Sequence, residues 1–239
     1  MLMTKTLKAM NRKVLFGILA ATALLLCPSC GDGKYEVSGD VVCYTYWTFS
    51  FGQRYDTLPE VDAKTFEQVK NWLGRDASHV YYEDRLIQGA DPATLKAHRK
   101  PLCSDRKDYY YQGVPLHVAD MKNFKVLKNN TYGLWAKDSR YVYRDSDRIE
   151  VDDVEAFHVV DWNVATDNVR VYFFGSLLAD SDPKTFEYLD DLYAKDKSHV
   201  WYMDEVVEGA DPATFTVDKE GNASDKNGKY YRGKRAEEP

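Results

Sequence analysis

The 239-residue sequence predicts an all-β repeat architecture: about six units of ~29 residues, each a β-hairpin or meander with a short helical turn, in solenoid-like stacking. Three observations lead there. Asp62, Asp91, Asp120, Asp153, Asp182 and Asp211 follow one another at intervals of 29, 29, 33, 29 and 29 residues. Four residues after each stands Phe66, Leu95, Phe124, Phe157, Phe186 or Phe215. A second series, Asp76, Asp105, Asp138, Asp167, Asp196 and Asp225, keeps the same period, with a small residue two positions before each and an aromatic five after. Between the markers lie runs such as "HVYYEDRLIQG" (79–89) and "HVWYMDEVVEG" (199–209), β-rich stretches broken by polar residues, which is a strand–turn–strand pattern. Self-similarity at such a period marks an array in which each unit buries its apolar face on its neighbours. Closure into a small propeller is the alternative, although a four-stranded blade takes about 40 residues.

The chain opens differently. Residues 1–29 carry Lys5, Lys8, Arg12 and Lys13 with no acid, and Val14–Leu26 is an uncharged run of thirteen. A basic start, a short apolar run and small residues before a cysteine predict a signal peptide over 1–29. Thirteen residues are too few to span a bilayer core, which takes ~20. The segment "LCPSC" resembles a bacterial lipobox, which implies acylation of Cys30 and a membrane anchor through that lipid; Cys27 stands where Leu or Val is more usual. Secretion with cleavage near Ser29 and no lipid stays open. A Cys27–Cys30 redox pair would need a βαβ context, which is absent. Without residues 1–29 the chain holds 28 Lys and Arg against 38 Asp and Glu, a net of about −10. Such a balance argues against nucleic acid and against an anionic surface bound through a basic patch. The expected partners are therefore the membrane, through the N-terminal lipid, and an unidentified envelope protein or glycan.

Residues 30–42 read as a linker after the lipidated cysteine, 43–235 as the repeat domain and 236–239 as a tail; the stretch 34–61 also reads as a degenerate first unit lacking the marker Asp. The string "GADPAT" at 89–94 and 209–214 is a corner. Gly takes unusual dihedrals, Asp caps the amides that follow, and Pro suits the first position of a helical turn. The four extra residues of the long interval belong at "NNTYG" (129–133). "DKNGKYY" from Asp225, "DRKDYYYQG" from Asp105 and "KDKSHVWY" to Tyr202 resemble the DKNYY family of bacterial repeat proteins, over residues 62–233. Two departures stand out: Arg144 in place of the second aromatic, and Asp152–Asp153 in place of Gly-Ala-Asp. The resemblance implies the repeat architecture and transfers no reaction and no catalytic residue.

The row Tyr81, Tyr110, Tyr143, Tyr172, Trp201 and Tyr230 is the most suggestive set of side chains. Successive side chains of a strand point to opposite faces, so this row forms one face, while Val80, Tyr82, Val142, Val171, Phe173, Val200 and their equivalents form the other. Both faces are apolar. Either both are buried between layers with hydroxyls at the rim, or the row is an exposed ladder on which a glycan or partner stacks. The marker Asp residues read as turn caps rather than calcium ligands, because a calcium site needs six to eight converging oxygens. No metal and no cofactor is expected. His79 and His199 share one unit position, three after a marker Asp, and read as solvated turn residues. Cys103 occupies a slot filled elsewhere by Gly or Ala, which argues for a buried thiol and against pairing with Cys43.

No catalytic motif is present, so no enzyme is expected. The leading expectation is a non-catalytic binding or scaffolding lipoprotein of the cell envelope. The alternatives are a glycan-binding module using the aromatic ladder, and a hydrolase built on paired carboxylates or a histidine that breaks the repeat.

Overall fold

The computed structural model describes residues 33–190 and 192–236. The expected signal peptide, Cys27, Cys30 and most of the expected tail lie outside these residues. Seven antiparallel sheets follow one another along the chain, and within each the strands hydrogen-bond in sequence order. Sheet 1 has three strands, β1 (Lys34–Ser38), β2 (Val41–Thr48) and β3 (Gly52–Thr57). Sheet 2 is a four-stranded meander of β4 (Glu67–Lys70), β5 (Leu73–Arg75), β6 (Val80–Tyr82) and β7 (Arg85–Leu86). Sheets 3 to 7 repeat that meander, beginning at Lys96–Ala97, Lys125–Asn130, His158–Val159, Glu187–Tyr188 and Thr216–Val217. The all-β repeat architecture is therefore what the molecule adopts.

Residues 34–42 correct one expectation: they form β1 and the start of β2, not a linker. Tyr35 pairs with Tyr44 and Ser38 with Val41 across a two-residue turn. Gly39 occupies that turn at φ 61, where a side chain would be strained. Sheet 1 falls within the stretch 34–61, read above as a degenerate first unit, and packs on sheet 2 at one end of the row.

Six clusters of buried residues fill the structure, and each joins two sheets adjacent in sequence. Tyr35, Val42 and Tyr44 of sheet 1 meet Tyr81 of sheet 2. Leu73, Val80 and Tyr82 of sheet 2 meet Cys103 and Tyr110 of sheet 3. The same contact recurs between sheets 3 and 4, 4 and 5, 5 and 6, and 6 and 7. One face of each middle strand thus packs backwards and the other forwards, so a three-residue strand is apolar on both sides. Closure of the row would need a seventh cluster joining sheet 1 to sheet 7, and none occurs among the described residues.

The short helical turns are mostly plain turns. Among the described residues only Pro92–Thr94 closes a 3-10 turn, with Asp91 as N-cap accepting from the Ala93 N–H. The turn between the third and fourth strands places a left-handed residue at one position in all six four-stranded sheets: Glu83, Gln112, Asp145, Phe174, Met203 and Arg232.

Candidate functional site

The repeated side chains converge on one polar clasp per unit. In sheet 4, Asp138 ends the second strand. Its Oδ1 accepts from the N–H groups of Arg140 and Tyr141 at 2.7 and 2.8 Å, closing the turn into the third strand. Its Oδ2 accepts from the N–H groups of Ala119 and Asp120, in the corner that opens the unit, and from the Tyr143 hydroxyl at 2.7 Å. Asp167 makes the same set with Tyr172, while Asp76, Asp105 and Asp225 accept from one corner N–H instead of two and from the hydroxyls of Tyr81, Tyr110 and Tyr230. In sheet 6 the ring is Trp201, so Asp196 keeps only its three backbone donors.

Burial by itself would raise the carboxyl of Asp138, but the Arg140 N–H, the Tyr143 hydroxyl and the Tyr141 N–H outweigh it and hold the group below the ordinary Asp value. The same balance lowers Asp76, Asp167 and Asp225. Tyr143 is pushed up to about 12 by burial and by its bond to Asp138, so its proton stays on the ring oxygen and is donated.

A second bond crosses the clasp from the corner. Thr65, Thr94 and Thr185 donate to the Oδ2 of Asp62, Asp91 and Asp182, and the same hydroxyls accept from the N–H groups of Ala77, Arg106 and Lys197. The cation after the clasp Asp then reaches back to the corner Asp. Arg106 lies 3.0 Å from Asp91, Lys197 lies 2.8 Å from Asp182, and Lys226 pairs with Asp211. Corner and marker motif are two halves of one device.

The aromatic row is buried. Tyr81 and Tyr143 are 0% exposed, as is Trp201; Tyr172 is at 1%, Tyr110 at 2% and Tyr230 at 5%. This corrects the exposed-ladder alternative, since no ring of the row offers a face for stacking. The register explains the small slot, because Gly74, Cys103, Ala136, Ala165, Ala194 and Ala223 stand directly opposite the six rings. The corner Phe covers that slot and packs on the ring: centroids of Phe124 and Tyr143 lie 5.8 Å apart, and those of Phe215 and Tyr230 5.3 Å. Cys103 is buried and Cys43 is partly exposed; both thiols are free, two sheets apart.

Clefts lie at several junctions between units, among them that of units 6 and 7. A cleft of about 540 Å³ between units 4 and 5 is lined by Arg140, Tyr141, Arg148, Glu150, Asp152 and Arg170, among others. Arg148 lies over the Tyr141 ring at 4.4 Å, and Arg170 pairs with Asp152 at 2.6 Å. A neighbouring cleft of about 310 Å³ contains Lys125, Lys137, Ser139 and Glu155. On the other side of unit 4, Arg144 fills the second-aromatic position. It donates to the carbonyls of Leu134 and Tyr132 and to Asp145, and lies 5.1 Å from the Trp135 ring, which secures the inserted "NNTYG" turn. Among the described residues no group of three or more His, Cys, Asp or Glu could hold a metal ion.

Three overlapping segments of the chain, residues 7–114, 86–191 and 178–234, match the DKNYY family. The chain belongs to the DKNYY family. No curated protein and no solved structure matches it. In structural terms a DKNYY repeat is the clasp: Asp gathers the amides, Lys pairs with the corner, and Tyr donates into the carboxylate. Asn227 adds a bond from its side chain to the Gly209 carbonyl at 3.0 Å.

Sequence reasoning missed two features. The convergence of the two Asp series was not read, although their constant offset of 14 residues (18 in unit 4) carried it. The exposed rings Trp47, Phe49 and Phe51 at the β2–β3 turn were also missed. Their signal was a change of phase: Tyr44 and Tyr46 keep the even positions, while Trp47, Phe49 and Phe51 take the odd ones.

Proposed function

We propose that the chain is a non-catalytic binding or scaffolding lipoprotein of the bacterial cell envelope, held to the membrane by lipid on Cys30. The observation that supports this reading is the occupation of the repeated polar groups. Each clasp carboxylate accepts three to five hydrogen bonds inside its own unit, so the most recurrent chemistry in the chain serves to hold turns. What the array offers outward is an extended surface, the usual asset of stacked repeats. On this reading a partner meets the unit 4–5 cleft, whose lining includes Arg140, Tyr141 and Arg148. A hydrolase would want carboxylates free of structural partners, and Asp152 in that cleft is already paired with Arg170.

The test is photo-crosslinking from position 141 in the native envelope, with the exposed Val114 as control site. One dominant envelope partner captured from 141 and not from 114 is expected. Absence of capture from 141, with acylated protein present in normal amount, defeats the binding reading. Turnover of envelope glycan by the purified protein, abolished by Glu150→Gln, defeats the non-catalytic one.

A further inference from the structure

The β2–β3 hairpin tip carries three exposed aromatic rings, whereas the opposite end of sheet 1 exposes only the smaller Val37 and Val41. Residues 41–53 contain no charged side chain, and Trp47, Phe49 and Phe51 are 58%, 91% and 77% exposed. Tyr44, three residues before Trp47 on the same strand, is buried against sheet 2. Rings carried by a tip, rather than spread over a flat face, cannot be covered by another sheet of the same stack.

The register fixes where this tip lies. Lys34 pairs with Thr45, so β1 enters sheet 1 at the end from which the β2–β3 turn projects. From Thr45 to Phe49 the strand and turn extend about 13 Å at the usual rise per residue. Cys30 stands four residues before Lys34, a reach of at most about 14 Å. An acyl chain on Cys30 and the three rings can therefore occupy one plane at the same end of sheet 1. The chemistry of the tip suits the boundary between headgroups and acyl chains: aromatic rings on a short run of Thr, Ser and Gly, followed by one cation. Arg54 lies 5.8 Å from the Phe51 ring, within reach of a lipid phosphate when that ring is immersed.

From this we infer that the β2–β3 hairpin tip inserts its rings into the interfacial region of the leaflet that holds the Cys30 lipid, as a second membrane contact that orients the repeat array on the bilayer. The inference rests on the proposed acylation of Cys30. Lipid attachment restrains position only, whereas two contacts on one sheet also fix orientation, and a second signal strengthens a marginal anchor.

The test uses the full acylated protein reconstituted in phosphatidylethanolamine and phosphatidylglycerol vesicles that carry a doxyl quencher on the acyl chain near the headgroup. The Trp47 signal is isolated by comparison with Trp47→Phe. Expected are a blue shift and quenching of the Trp47 component, lost in Phe49→Ser/Phe51→Ser and retained in Phe49→Leu/Phe51→Leu, with circular dichroism unchanged in both. Unquenched Trp47 in a protein whose Cys30 peptide carries the acyl mass overturns the insertion and leaves the anchor standing. A Cys30 peptide without that mass overturns the anchor and the inference together. Protection of Trp47 only after a second copy or an envelope protein is added assigns the tip to a protein partner and overturns the membrane assignment.

Discussion

Replacing Asp138 by Asn keeps the shape of the side chain and removes one acceptor. The carboxylate accepts from four backbone N–H groups and one hydroxyl, and the residue is 3% exposed, so water cannot substitute. If the new NH₂ takes the Oδ1 place, it faces the N–H groups of Arg140 and Tyr141. If it takes the Oδ2 place, it faces those of Ala119 and Asp120, while Tyr143 can turn its hydroxyl and accept. The first orientation leaves two amides without an acceptor; in the second the Ala119 N–H keeps the Tyr143 oxygen at 3.3 Å, and the Asp120 N–H and the turned Tyr143 O–H are the two donors left. At about 1–3 kcal/mol for each buried unsatisfied group, the loss is about 2–6 kcal/mol. Asp196 supplies the internal control. Its Oδ2 serves only the Asp182 N–H, so Asp196→Asn can confine the damage to one amide and should cost about 1–3 kcal/mol. Urea unfolding measures both, and hydrogen exchange at Arg140 and Tyr141 reports whether the turn itself has opened. Equal losses in the two variants, or a loss below about 1 kcal/mol for Asp138→Asn, would refute the assignment of this stability to amide satisfaction.

The remaining predictions follow from neighbouring features. Four clasp carboxyls, Asp76, Asp138, Asp167 and Asp225, are lowered in the folded state. Their stabilisation is therefore complete above the unfolded Asp value of about 3.9 and is lost as pH falls through the lower folded values. Urea midpoints should be flat near neutrality, drop below about pH 4, and drop less in Asp138→Asn; a midpoint that rises on acidification would count against the scheme. Met203 sits at φ 58 and is 38% exposed, so Met203→Asn, which tolerates that conformation, should gain about 0.5–1 kcal/mol in the same assay. A Cβ on Gly74 would lie 2.6 Å from the Phe66 ring, and Gly74→Ala should cost about 1–3 kcal/mol through the displaced ring. The Cys103 thiol is pushed up to about 12 by burial and then by Asp105. Iodoacetamide mapping should accordingly find Cys43 modified in native protein and Cys103 modified only after unfolding; early labelling of Cys103 would show that its core opens readily.

How far the sequence could be read depended on whether a feature repeats. The period, the all-β class and the turn role of the marker Asp residues follow from spacing alone, because six copies average out the accidents of one. Burial of the ring row was harder. Alternation assigns Tyr143 and Val142 to opposite faces but does not say whether a second sheet covers each face, and that depends on the sheets stacking in chain order. The opposition of Ala136 and Tyr143 likewise needs the strand register, which the turn after Asp138 sets. Features present once left no periodic trace. Sheet 1 lacks the Asp, and its tip was legible only as a phase change between Tyr46 and Trp47.

The clasp also changes where function should be sought. Four letters of the Asp-Lys-Asn-Tyr-Tyr signature have a bonding or packing task in the last unit; the second Tyr, exposed there as Tyr231, is buried in earlier units as Tyr82 and Tyr111. Asp225 gathers amides, Lys226 meets Asp211, Asn227 holds the Gly209 carbonyl, and Tyr230 donates to Asp225 while packing on Phe215. Selection on such a signature acts through folding, so two chains can share it while binding different partners. Differences in activity must then lie at positions the signature leaves free. In this chain these are the Arg-rich cleft at the irregular unit 4–5 junction and the ring-bearing tip of sheet 1. Substitutions at Arg140 or Phe49 should alter partners or orientation without moving the urea midpoint, whereas substitutions at Asp138 or Phe215 should move the midpoint first and everything else as a consequence.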